Sequence, residues 1–139
     1  MERHLLDIIH DQHPLMLAAT ATVKDACGEM QRRGVGATLV TEGDGRLVGI
    51  FTGRDAVGRV LAAGKNASRT HLAEVMTANP TTISPGQTAI EALRLMQDSG
   101  VRHLPVTEKG RIVGIVSRGD FRGLEHARLD DETGLWERI

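Results

Sequence analysis

A chain of 139 residues, 40% hydrophobic and 25% charged, is one soluble globular domain's worth of sequence, with enough apolar residues for a single core. Two Phe, one Trp and no Tyr leave that core aliphatic and argue against stacking single-stranded nucleic acid, and a formal net charge of −1 offers no basic excess to DNA or RNA. One cysteine, Cys27, excludes an intrachain disulfide framework, and neither the polar start MERHLLDIIHDQ nor any apolar run suits a signal peptide or membrane span, so a cytoplasmic protein without membrane partners is expected.

In chain order, residues 3–11 predict a short helix, followed by Pro14 and a brief extended piece, LML. An amphipathic helix is expected from Thr22, placed as its N-cap, to Arg33, with Gly34 as the glycine that stops it. Two strands follow, ATLVT and RLVGIF, joined by EGDG as a hairpin. A last helix starts near Asp55 (AVGRVLAAG), and GKNASRT, residues 64–70, reads as a linker.

The same order then recurs. Shifted by 66, Leu6 falls on Leu72, Ile9 on Val75, Pro14 on Pro80, Thr22 on Thr88, Met30 on Met96 and Gly34 on Gly100. One residue is lost in the second hairpin turn (EKG), after which a shift of 65 pairs Gly49-Ile50 with Gly114-Ile115 and Asp55 with Asp120. The second copy therefore predicts a helix over 70–77, extended TTI, a helix from Thr88 to Ser99, strands HLPVT and RIVGIV, and a helix FRGLEHARL. In the longer helix Ile90, Leu93 and Met96 keep helical spacing. A lone unit would leave one face of its small sheet exposed, so the copies are expected to pack together. The expected divisions are 1–66 for the first repeat, 67–126 for the second, and a tail at 127–139 with Leu135, Trp136 and Ile139 as its apolar contacts.

The repeat also disposes of an adhesion reading of Arg118-Gly119-Asp120. GIFTGRD (49–55) and GIVSRGD (114–120) share a hydroxyl three residues before an aspartate, and the RGD spelling is not shared. Hydroxyl-x-x-Asp is also a helix-capping box, and capping and ligand contact are compatible roles.

Two β-α-β-β-α units with G-V-x-x-x-x-V, a hairpin and G-I-φ-[ST]-x-x-D resemble a pair of cystathionine-β-synthase (CBS) domains, a Bateman module, over roughly residues 3–126. The resemblance implies a mixed α+β fold with small sheets packed against helices. It also implies regulatory binding of an adenosine compound (AMP, ADP or ATP; alternatively NAD(H) or S-adenosylmethionine), homodimers formed through helices, and signalling to a separate effector protein. It places ligands in clefts that mix the copies. One cleft would combine Thr52, Arg54 and Asp55 with Thr88, Arg102 and His103. The other would combine Ser117, Arg118 and Asp120 with Thr22, Gly36, Ala37 and Thr38.

The chemistry suits those residues. A carboxylate at a strand-to-helix corner can accept hydrogen bonds from both hydroxyls of a ribose. Thr52 and Ser117 offer hydroxyls, and helix-start amides offer partial positive charge, to a phosphate. Arginines handle a phosphate chain, so the first cleft, with two arginines and a histidine, is expected to hold a phosphorylated ligand tighter than the second. Adenine is expected against Ile50 or Ile115, recognised by backbone groups. No nucleophile–base pair or carboxylate dyad suggests an enzyme or a catalytic cofactor. His10 and His13 lack a third metal ligand at credible spacing, and Cys27, aligned with Leu93, reads as a small buried hydrophobe. A purely structural dimerisation module is the remaining alternative.

Overall fold

The computed structural model describes residues 3–121 together with 123 and 125. The elements are α1 (Leu5–Ile9), β1 (Met16–Ala18), α2 (Val23–Arg33), β2 (Ala37–Glu42), β3 (Arg46–Thr52), α3 (Gly53–Asp55), α4 (Leu72–Val75), β4 (Thr77–Ala78), α5 (Ala89–Ser99), β5 (His103–Glu108) and β6 (Arg111–Ser117). α3 runs on into a π-helical stretch, Ala56–Leu61, and β6 into a 3₁₀ turn, Arg118–Asp120. This is a mixed α+β fold. The expected helix after Asp120 and the 127–139 tail lie almost wholly outside the described residues.

The two long helices form as their sequences dictate. Thr22 accepts a hydrogen bond from the Asp25 amide and Thr88 from the Glu91 amide, while Gly34 (φ 65) and Gly100 (φ 68) close them in the left-handed conformation that glycine tolerates. α5 buries the predicted Ile90, Leu93 and Met96 together with Ala89 and Ala92.

The compact units do not coincide with the sequence repeats. One contains His13–Pro80 and Gly110–Ile112; the other contains the described residues among 3–12, 81–109 and from 113 onward. Each repeat's leading helix thus packs in the unit built mainly from the other repeat. Leu5 and Ile9 join the core of Leu93, Met96, Leu104 and Val106, whereas Leu72 and Val75 join that of Val23, Met30, Val40 and Phe51.

The exchange uses the same backbone contacts twice. His4 bridges to Thr88 and His71 to Thr22, and the Leu5 amide donates to the Gln87 carbonyl (3.0 Å) as the Leu72 amide does to Ala21 (2.9 Å). These contacts pair Leu5 with Leu72, a shift of 67. The expected match of Leu6 with Leu72 is therefore corrected by one residue: Leu5 is fully buried and Leu6 is 57% exposed.

In the first unit β2 pairs parallel with β1 and antiparallel with β3, with a register shift between Val40 and Thr41, and β4 pairs with β3 at Gly49 and Ile50. In the second, β5 lies beside β6 and Ile83 bridges in parallel to Val106. The Gln12 carboxamide does at β6 what β4 does at β3: it donates to the Ile115 carbonyl (2.8 Å) and accepts from the Ile115 amide (3.0 Å).

Candidate functional site

Each unit has a corner where its second hairpin strand turns into a helix. In the first, β2 and β3 bring Ala37 opposite Thr52, and the Gly53 amide donates to the Gly36 carbonyl at 3.1 Å. In the second, the Arg118 amide donates to the Arg102 carbonyl at 2.9 Å. The candidate residues thus gather within units: Gly36, Ala37, Thr52, Arg54 and Asp55 in one, and Arg102, His103, Ser117, Arg118 and Asp120 in the other. Thr22 and Thr88 cap α2 and α5 of those same units.

At the first corner the capping reading is realised. The Thr52 amide and hydroxyl both donate to Asp55 Oδ2 (3.0 and 3.2 Å), and the Asp55 amide donates to Thr52 Oγ1 (3.3 Å). Oδ1 accepts from the Thr77 hydroxyl at 3.4 Å and faces Arg59 Nε at 3.6 Å. Arg59 and Thr77 both lie outside the hydroxyl-x-x-Asp motif. Arg59 stands four residues after Asp55 on a predicted helix, a spacing that brings side chains together. Thr77 arrives with the exchanged segment, which no local spacing announces.

At the second corner the Ser117 amide and hydroxyl donate to Asp120 Oδ2 (2.7 and 3.2 Å), while Oδ1 has no hydrogen bond among the described residues. Asp120 is exposed. Its backbone carbonyl accepts from Arg3, whose guanidinium also pairs with Glu125 at 2.6 Å, and that pairing raises the Arg3 pKa. Burial pushes the His103 pKa below its usual value; the nearby Asp120 charge opposes this and Arg102 adds to it. A neutral, half-buried imidazole therefore stands near the Asp120 carboxylate.

Other candidates sit deeper. Ile50 is buried, and its backbone belongs to the β3–β4 pairing; Ile115 is half-buried, with its amide and carbonyl taken by Gln12. Thr38 is fully buried opposite Phe51, and its hydroxyl has no hydrogen-bond partner among the described residues. An unpaired buried hydroxyl is destabilising, so Thr38→Val is expected to raise stability by about 1 kcal/mol. Urea unfolding checks this; a loss of stability would show that the hydroxyl is satisfied.

Cys27 is half-buried beside the first unit's core, and burial raises its pKa. Among the described residues no group of three or more His, Cys, Asp or Glu could hold a metal ion, and no helix is long and apolar enough to cross a membrane.

The family model for the CBS domain matches twice, at residues 6–62 and 72–126. The CBS domain-containing protein CBSCBSPB2 of Arabidopsis thaliana is 41% identical over 95 residues, covering 68% of this chain but only 18% of that protein. This chain thus spans about a fifth of the length of the first curated relatives it matches. Among solved structures, a CBS-domain containing protein from Agrobacterium tumefaciens is 32% identical, with a TM-score of 0.75 and 84% of this chain and 86% of that one covered. A CBS domain protein from Pyrobaculum aerophilum complexed with AMP shares the fold alone, at 22% identity and a TM-score of 0.79, over 92% of this chain and 98% of that one. With its repeat matched at both copies and its fold shared, the chain belongs to the CBS domain family and carries the domain as a tandem pair.

Proposed function

We propose that the chain is a non-catalytic regulatory module that binds an adenosine compound, AMP, ADP or ATP in the first place and NAD(H) or S-adenosylmethionine as the alternative. It would report occupancy to a separate effector protein. The observation that carries this reading is the exposed Asp120 carboxylate, fixed through one oxygen by Ser117 and with the other without a hydrogen bond among the described residues. A carboxylate held in this way can accept both hydroxyls of a ribose without first reorganising. The AMP complex of the Pyrobaculum aerophilum protein supports the fold's capacity for such a ligand. Self-association as a homodimer would cover the exposed Val57 and Leu61, four residues apart on the π-helical stretch.

A melting-temperature screen with AMP, ADP, ATP, NAD, NADH and S-adenosylmethionine tests this, because a ligand that binds only the folded state raises the melting point. At least one compound is expected to do so. Asp120→Ala is expected to weaken it roughly ten- to a hundredfold, the usual worth of hydrogen bonds to a charged group. No shift with any of the six would leave a structural dimerisation module.

A further inference from the structure

We infer that Arg59 sets the order in which the two corners fill: it holds the Asp55 carboxylate closed, so a ribose binds there only by displacing it, whereas Asp120 stands ready. This deepens the proposed function and rests on reading the corners as diol sites.

The two carboxylates begin from the same local plan. In both, Oδ2 accepts from the amide and hydroxyl of the residue three positions earlier. They differ at Oδ1. In Asp55 that oxygen meets the Thr77 hydroxyl and Arg59 Nε, and the side chain is only 12% exposed. In Asp120 it has no hydrogen bond among the described residues, and the residue is exposed. A diol donates two O–H groups, so at Asp55 it competes with partners already in place.

Arg59 is more than a surface counter-charge. Its Nη1 donates to the Met76 carbonyl at 2.9 Å, just beyond α4 and before β4. One guanidinium therefore ties the corner carboxylate to the exchanged segment, and displacing it frees that carbonyl. It is carried by a six-residue π-helical stretch, a geometry that is rare and frequent at functional sites. The second copy's sequence provides no matching cation: Arg59 shifted by 65 falls on Leu124. Arg59 is thus a positioning residue for one corner only.

The test uses adenosine, which has the diol but no phosphate, so that removing a cation does not itself weaken the ligand. In an Asp120→Ala background, where only the Asp55 corner remains, Arg59→Met is expected to tighten adenosine binding by about two- to fivefold, the range of a half-exposed ion pair. 2′-Deoxyadenosine is expected to gain nothing. Adenosine binding that is unchanged or weaker overturns the latch, as does an equal gain for the deoxy compound. If none of adenosine, AMP, ADP, ATP, NAD, NADH and S-adenosylmethionine shifts the melting point of the unmodified protein, the proposed function falls and the latch with it.

Should Arg59→Met fold poorly, hydrogen exchange of the unmodified chain answers the same question. Saturating adenosine is expected to speed exchange of the Thr77 and Ala78 amides, and unaltered exchange there overturns the latch.

Discussion

Leu5→Ala is expected to destabilise the protein by about 2–5 kcal/mol, whereas Leu6→Ala should change stability by no more than about 0.5 kcal/mol. Leu5 is fully buried in the core that holds Leu93 and Met96, and Leu6 is 57% exposed. Truncating Leu5 removes about three methylene equivalents from water-free packing and leaves a cavity that backbone pairing keeps from collapsing. The His4–Thr88 bridge and the Leu5 amide bond to Gln87 fix the backbone at and just before the lost side chain. Leu72→Ala should cost a similar amount, since Leu72 is fully buried in the other core with its amide on the Ala21 carbonyl. Urea midpoints for the three variants check this. Equal losses at Leu5 and Leu6 would mean that the leading helix does not bury one defined face.

That one-residue correction marks how far local pattern reaches. α2 and α5 have eleven residues each, three turns with a capping threonine and a closing glycine, so period and ends agree. α1 and α4 have five and four residues, too few to display a period. Pro14 and Pro80 fixed a shift of 66 for what lies around them, but the helices before them follow a shift of 67. The exchange of leading segments between units is a matter of long-range pairing, and nothing in either copy's local pattern encodes it. The π-helical continuation after Asp55 is likewise invisible to a reading that sees only helical spacing.

The corners were legible for a related reason. Hydroxyl-x-x-Asp is a local motif, and both copies realise it as local hydrogen bonds between residues three apart. What the motif could not reveal is the unequal second oxygen. At Asp55 it is decided partly by Arg59, one helical turn away, and partly by Thr77, 22 residues along the chain. Thr38 shows the opposite limit. Its place before the hairpin suggests a polar contact, and nothing local announces that its side chain is fully buried in a run of four buried strand residues, at the position where the second copy has the core Leu104.

Gly114→Ala should destabilise the protein by about 1–2 kcal/mol net, and Gly49→Ala, the matching change in the first copy, by at least about 1 kcal/mol less. Both glycines lie in strands crossed by the exchanged segment, but they face different atoms. A Cβ on Gly114 would stand 2.7 Å from both Cβ and Cγ2 of Ile9 and 3.0 Å from Gln12 Oε1. Ile9 is branched at the atom in conflict and sits in a close-packed core, so relief requires a backbone shift of α1. Such a shift also pulls Gln12 from its paired hydrogen bonds with Ile115. A Cβ on Gly49 would instead collide with Met76 Sδ and Cγ, an unbranched side chain that can change rotamer, and lie 3.1 Å from the Thr77 carbonyl. Neither glycine has positive φ, so alanine also stiffens the unfolded chain, a gain of about 0.4–1 kcal/mol that only Gly49→Ala can largely keep. Denaturant unfolding of the pair decides it. A Gly49→Ala loss as large as that of Gly114→Ala would mean that the flexibility of Met76 does not relieve the clash.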